Sequence, residues 1–459
     1  MTGKFNPASN LVSYAPGYAR LGDKYFILLG GVLLGYATVG RGFAYLGVSP
    51  VFIGEAIYLL GLLVAIYTGC LLASITAPSS FVLCGAMIWV MLRTAPFVRE
   101  YGFDALRDSV VIMYGGFAFI VASLLIEDHR RIEAAVNRYS SFVGIFVCVI
   151  PFVLIITRFF QEYIPTFPGY EFPFLEVRPG EVAVHLAGAA IFSIVGLRKV
   201  TIPWLLFMLF TVAQLLAFSR GAALAFFAPV LLAMLAQGKV RLLFRAFVTG
   251  AVVLCAAFAL SGGSTGDGGA RSSEDRALNV QQIASNVASI VGYGSEQAEK
   301  TKEWRLDWWT IIAEDTLFGR NFWTGRGFGI NLADADGFQV GDQPDRPPLR
   351  SPHNVQMTIL ARAGAPGLAL WIGFLLTWFA SMLGAAFHAR SRGKGNWASL
   401  FLFVAFYGVA FVINATFDVA LEGPIQGIWF WCLIGFGIGS SLYYRYEVAD
   451  ADNILARTA

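Results

Sequence analysis

Apolar residues run in long, nearly continuous stretches along this chain, and the polar positions gather between them. Twelve stretches read as membrane helices: near residues 25–40, 51–72, 80–92, 109–126, 142–158, 182–197, 200–218, 222–237, 244–261, 354–386, 397–416 and 425–443. A helix needs about 20 apolar residues to cross the hydrocarbon core. Lipid-exposed backbone must satisfy its own hydrogen bonds, and these runs are too long and continuous for barrel strands. The third and sixth runs are short or Gly-rich. The tenth carries Ala363-Gly364-Ala365-Pro366-Gly367, which predicts a bend or break.

The pattern divides the chain into a tail, 1–24, helices one to nine over 25–261, a large loop over 262–353, helices ten to twelve over 354–443, and a second tail, 444–459. The large loop starts Gly/Ser-rich and then offers two amphipathic helices, near 275–291 and 302–315. A loop of this length inside a compact protein usually carries function. A second loop, Phe159 to Glu181, is rich in Phe, Tyr and Pro, and suits a membrane interface. No internal repeat is visible.

Composition sharpens the picture. Of 459 residues, 57% are hydrophobic and 14% charged, against roughly a quarter charged in a soluble domain. A net charge of +3 gives no argument for a nucleic-acid partner. Cys70, Cys84, Cys148, Cys255 and Cys432 all fall in apolar runs without a CxxC pair, so they read as buried small residues. The first 20 or so residues are polar and contain Pro7 and Pro16, unlike a cleavable signal peptide.

Basic residues in short loops set sidedness. Arg130, Arg131 and Arg138, Arg198 and Lys199, Lys239, Arg241 and Arg245, and Arg390, Arg392 and Lys394 fall on alternate loops, which places those loops and both tails in the cytoplasm. Arg41, Arg93, Arg99, Arg107 and Arg220 then lie outside with the large loop. Long loops escape the rule, which covers part of this departure, and a binding site for an anionic substrate would cover the rest.

Few residues are suited to chemistry. His129 and His388 sit in the cytoplasmic loops, whereas His185 opens the sixth span and His353 closes the large loop, both on the outer side. Histidine titrates nearest neutrality and is a ready general base. Arg220, in Ser219-Arg220-Gly221 between two close spans, is costly there without an anionic partner. Arg305 lies on the second amphipathic helix. Arg326 stands in Gly325-Arg326-Gly327-Phe328-Gly329, where glycines let backbone N–H groups approach a phosphate. No Walker lysine pattern is present, which excludes nucleotide hydrolysis of that type. Asp334 and Asp336 have the spacing of a metal-holding pair, but Asp450 and Asp452 repeat it on the cytoplasmic tail, so the spacing alone carries little.

The run Ser351-Pro352-His353-Asn354, continuing to Gly364-Ala365-Pro366-Gly367, resembles the His-Asn motif of the O-antigen ligase superfamily, which also holds Wzy-type polymerases and some oligosaccharyltransferases. Ser219-Arg220-Gly221, the Arg305 helix and the Gly325–Gly329 turn appear in that superfamily's order, and Ala105-Leu106-Arg107-Asp108-Ser109 also looks similar. Where the family often has an acid, this chain has Arg362. The resemblance implies an all-α, GT-C-like polytopic membrane protein of about twelve helices with one large periplasmic loop, in the bacterial inner membrane. It implies an inverting, metal-independent, hexosyltransferase-like enzyme without a cofactor. A saccharide would pass from an undecaprenyl-type diphosphate carrier to a sugar hydroxyl, on lipid A-core for a ligase or on another lipid-linked chain for a polymerase. The implied roles are catalysis for His353 and diphosphate binding for Arg220, Arg305 and Arg326. Asn354, His185 and Arg107 are candidate substrate contacts. Expected partners are the lipid-linked donor, a lipid or glycan acceptor, membrane lipids, and chain-length regulators or flippases. A transporter or flippase of lipid-linked saccharides is the rival reading; such proteins usually show related halves.

Overall fold

The computed structural model describes residues 21–168, 172–239, 241, 296–339 and 349–458; the predicted span 244–261 and the predicted helix 275–291 lie outside them. Within them the apolar runs are helices: α1 (Leu21–Thr38), α2 (Ile53–Thr68), α3 (Pro78–Thr94), α4 (Phe103–Met113), α5 (Gly116–Glu127), α6 (Arg130–Phe159), α7 (Pro179–Ile194), α8 (Ile202–Phe218) and α9 (Arg220–Ala236). The large loop contributes α10 (Glu296–Ala313), and the chain ends with α11 (Val355–Ser391), α12 (Gly395–Phe417) and α13 (Pro424–Thr458). A two-residue antiparallel ribbon, Gly47–Val48 with Val51–Phe52, interrupts the helices. The helix α13 runs well past the predicted start of the second tail.

The span count differs from the sequence expectation. Among the described residues, five helices are long and apolar enough to cross a membrane: Pro78–Tyr101, Arg130–Phe159, Val355–Ser391, Gly395–Phe417 and Pro424–Glu447. The pair α4–α5, bent by 44°, makes a sixth. Length accounts for four of the other six; α1 has 18 residues but is less apolar, and the run 244–261 lies outside the described residues. Helices α2, α7, α8 and α9 have 16 or 17 residues, roughly 24–26 Å at 1.5 Å per residue, short of a core of about 30 Å.

Helices α5, α7, α12 and α13 form the centre. They are apolar on every side, α13 as far as about Leu442, and α5 and α7 bury nearly all their residues, as expected of helices without a polar face. Helix α13 meets α5 almost backbone to backbone. A Cβ on Gly435 would stand 2.3 Å from the Ala118 carbonyl oxygen, and one on Gly439 3.1 Å from that of Ala122. Glycines four apart permit this approach where no hydrophobic force drives helices together in lipid. The peripheral helices turn Leu63, Phe81, Ile202 and Leu206 outward, the apolar surface that lipid would cover.

Basic loops gather at one end. There Arg198 donates to the Ser140 carbonyl at 2.6 Å, Arg390 to that of Ala236 at 3.3 Å, and Lys394 pairs with Glu447 at 2.9 Å. The N-termini of α7, α9 and α11 all lie at the other end.

The predicted break in α11 is present. At Gly364 the backbone turns to φ 72° and ψ −176°, and Pro366 follows inside the helix. A break of this kind strands carbonyls that would otherwise accept helical N–H groups. Each finds another donor. Arg326 N–H bonds the Ala361 oxygen at 2.7 Å, Gly327 N–H that of Arg362 at 3.0 Å, and the Trp89 indole that of Ala363 at 2.9 Å. In return, Ala365 N–H donates to the Phe322 oxygen at 2.8 Å. The turn 322–327 from the large loop therefore repairs the helix. This corrects the phosphate-cradle reading of Gly325–Gly329, because two of its N–H groups are spent on α11.

Two substitutions test this repair. Trp89→Phe orphans one buried carbonyl, at about 1–3 kcal/mol. Gly364→Val forces a branched residue to positive φ and sets its Cβ 2.7 Å from the Phe322 oxygen, so it is expected to cost more. Thermal unfolding in detergent checks the order, and a Gly364→Val protein as stable as wild type would refute the account.

Candidate functional site

The N-terminal half of α11 begins at Asn354. Its side-chain oxygen accepts from Gln356 N–H at 2.9 Å and Met357 N–H at 3.2 Å, an N-cap that fixes where the helix starts. This revises Asn354 from a substrate contact to the residue that seats its neighbour. That neighbour, His353, has φ 53°, the one positive value outside glycine among the described residues. A left-handed backbone at a non-glycine residue costs about 1–3 kcal/mol and persists only where the surroundings impose it. Two of those constraints are visible. Asn354 holds one side, and on the other the Trp309 indole donates to the Pro352 carbonyl at 2.9 Å.

Trp309 belongs to α10, and Arg305 lies one turn earlier on the same face. The Arg305 Nη1 donates to the Phe417 carbonyl at 3.2 Å, at the C-terminus of α12. The next residue is Asp418, whose Oδ1 lies 3.8 Å from His353 Nδ1. Val419 N–H also donates to Asp418 Oδ1 at 2.8 Å. Burial alone would raise the Asp418 carboxyl, but His353, the Arg178 charge and the Val419 N–H hold it below the usual range. Burial lowers the Arg305 guanidinium; the Asp418 charge opposes this and the Arg220 charge adds to it.

Arg220 reaches the group from a third direction. It opens α9 directly after Ser219, whose hydroxyl caps the helix by accepting from Ala222 N–H at 3.3 Å. Gly221 lies against Phe417, where an added Cβ would stand 3.2 Å from that of Phe417. Arg178, just before α7, is coupled to Asp418 as well. Three helix N-termini and the side chains of Arg178, Arg220, Arg305 and His353 thus surround the end of α12. Helix N-termini carry partial positive charge and suit anions, phosphates above all.

A second layer holds this arrangement. The Thr358 hydroxyl donates to Glu422 at 2.8 Å, joining the short half of α11 to the α12–α13 turn that also carries Asp418. Burial raises the Glu422 carboxyl, against the opposing pull of Thr358 and Arg362. Arg362 is buried and reaches Asp108 at 3.0 Å and the Ile330 carbonyl at 3.0 Å. Asp108 also receives Arg350 at 3.2 Å and Gly329 N–H at 3.1 Å. The buried Arg362 cation thus has Asp108 for its counter-charge.

Five other residues singled out in the sequence stand elsewhere. His185 is buried inside α7, where its Nδ1 and the Tyr407 hydroxyl are 2.7 Å apart among Phe146, Phe411 and Trp429; it is a core residue, since its helix starts six residues earlier at Pro179. Arg326 pairs with Asp315 at 2.8 Å and with Asp336, so its guanidinium is spent on the loop's own acids. Asp336 takes the Trp308 indole too, at 2.8 Å, while Gln339 donates to Asp334 at 2.6 Å. Arg107 is nearly half exposed and bridges Asp104 at 3.2 Å and Asp108 at 3.6 Å; it supports Asp108 from outside. The reading of the sequence passed over Asp418, Arg178 and Glu422. A lone acid closing an apolar run, Thr416-Phe417-Asp418, was the available signal.

Because the folded Asp418 is more acidic than an ordinary aspartate near 3.9, its ionised form stabilises the protein above about pH 4. That contribution fades as pH falls through the lowered value. Wild type and Asp418→Asn are expected to differ most in Tm near neutrality and to converge in acid. A gap that widens on acidification would contradict the pairing.

Among known proteins, no curated sequence matches the chain. A family model does, over residues 205–372, and its description is O-antigen ligase. The match runs from α8 into α11 and takes in Arg220, Arg305 and His353, whereas Asp418, Glu422 and Arg178 lie outside it. With the apolar helices, this indicates a multi-pass membrane protein whose residues 205–372 are similar to the O-antigen ligase family.

Proposed function

We propose that the protein transfers a saccharide from a polyprenyl diphosphate carrier to a sugar hydroxyl, as an O-antigen ligase does, at the membrane end that carries His353. The observation that supports this most is the grouping of Arg220, Arg305 and His353 around Asp418. Charge and base stand together, as a diphosphate leaving group and a hydroxyl nucleophile require.

The acceptor hydroxyl gives its proton to His353 while its oxygen bonds the anomeric carbon. The bond from that carbon to the diphosphate oxygen breaks, and its electron pair leaves on the diphosphate. Attack opposite the leaving group inverts the anomeric centre. A diphosphate departs without protonation, so no general acid is needed. Arg305 and Arg220 meet the developing charge through planar, bidentate guanidinium groups. Charge placed in advance in a low-dielectric site is often the largest catalytic term. Asp418 orients the imidazole and stabilises it once protonated, acting through His353 as a positioning residue.

The test is transfer by the purified protein from a polyprenyl-diphosphate saccharide, with and without lipid A-core, read on a gel alongside an EDTA control. His353→Ala is expected to lower kcat by roughly 10²–10⁴-fold, the usual worth of a positioned base. Arg305→Lys keeps the charge but loses the fork, and is expected to raise KM for the donor as well as lower kcat. Acceptor-dependent product that survives EDTA supports a metal-independent ligase. Longer lipid-linked chains without added acceptor make the protein a polymerase. Near-wild-type turnover in His353→Ala removes the base assignment, and an absence of transfer in every format favours a transporter.

A further inference from the structure

At the end opposite His353, a groove of about 520 Å³ opens between α11 and α13, lined by Ala380, Ser381, Gly384, His388, Tyr444 and Arg445. Its chemistry is divided along its length. The floor is small and apolar: the Ser381 hydroxyl is spent on the Thr377 carbonyl at 2.7 Å, and a Cβ on Gly384 would meet nothing within 4 Å. The head of the groove is cationic. Arg445 is exposed there, the His388 Nδ1 and Tyr444 hydroxyl are 2.9 Å apart, and Lys394 lies 5.8 Å from the centre of the Tyr444 ring. The Arg392 charge also reaches Tyr444. Glu447 is the facing acid, and Lys394 pairs with it at 2.9 Å. The groove's rim continues the outward apolar surface, with Leu376 and Phe387 each 65% exposed and Tyr446 68%.

We propose that this groove binds one anionic phospholipid, with the phosphate at Arg445 and His388 and the start of an acyl chain along Ala380 and Gly384. The reasoning is complementarity. A negative headgroup and an apolar chain match a groove with a cationic head and an apolar floor that merges with the lipid-facing surface. Basic pockets between membrane helices recognise anionic headgroups in this way.

Native mass spectrometry of the full chain, titrated with phosphatidylglycerol or phosphatidylcholine, tests the proposal. Wild type is expected to retain one phosphatidylglycerol in preference to phosphatidylcholine. Arg445→Gln is expected to weaken phosphatidylglycerol binding about fivefold, the worth of one basic residue near an anionic surface, and Arg445→Lys to restore it. Gly384→Leu, which fills open space, is expected to remove the bound lipid. Equal retention of both lipids, or no effect of Arg445→Gln, overturns the proposal, and the latter reading stands even where Gly384→Leu fails to fold. Full displacement by soluble glycerol phosphate shows a phosphate site without a lipid and also overturns it. So does a dimer mass that Gly384→Leu abolishes, because the occupant is then a second copy of the chain.

Discussion

Everything at the His353 end depends on how one interrupted helix is made whole. A span that stops and restarts exposes carbonyls at a depth where water is scarce, and each orphan would cost about 1–3 kcal/mol, a sizeable share of a fold's margin of about 5–15 kcal/mol. Here three consecutive carbonyls, from Ala361 to Ala363, are taken by two N–H groups of the large loop and the Trp89 indole. The exchange binds loop to membrane helix. It also frees the short first half of α11 to point its N-terminus, with His353 before it, toward the end of α12. A continuous helix would carry the chain past that point in a direction set by the rest of α11.

Charge placement follows from the same economy of polar groups. Ionised side chains at the edge of a membrane are expensive singly, and tolerable in sets. The chain builds two such sets. Asp108 collects Arg350, Arg362 and a backbone N–H beneath the half-helix. Asp418 stands among cations above it. In the first set Asp104 joins Asp108 in facing Arg350. In the second, Arg178, Arg305 and His353 act on or bond around Asp418 and the end of α12, with Glu176 and Glu181 also acting on Arg178. The three helix N-termini beside it are the physical ground for expecting an anion there.

Much of this was legible in the chain itself. The apolar runs located the helices, and Ala363-Gly364-Ala365-Pro366-Gly367 announced the break, because both are local properties. Arg220, Arg305 and His353 stood out as polar residues beside apolar runs. What the sequence could not supply was partnership at long range. Arg326 looked available until Asp315 and Asp336 were found beside it, and His185 looked exposed until its helix proved to begin at Pro179. Asp418 is separated from His353 by 65 positions of chain and by two helices, so no local pattern joins them. Apolarity alone does not settle the number of spans: it is easily read from composition, whereas four of the apolar helices have only 16 or 17 residues, and the run 244–261 lies outside the described residues.

Arg305 and Trp309 share one face of α10, one bonded to the end of α12 and the other to the carbonyl before His353. Both sides of the cluster therefore rest on one helix. Were α10 to shift, the end of α12 and the backbone before His353 would lose their ties to it in one motion, so the positions of Asp418 and His353 are coupled through α10 rather than set independently.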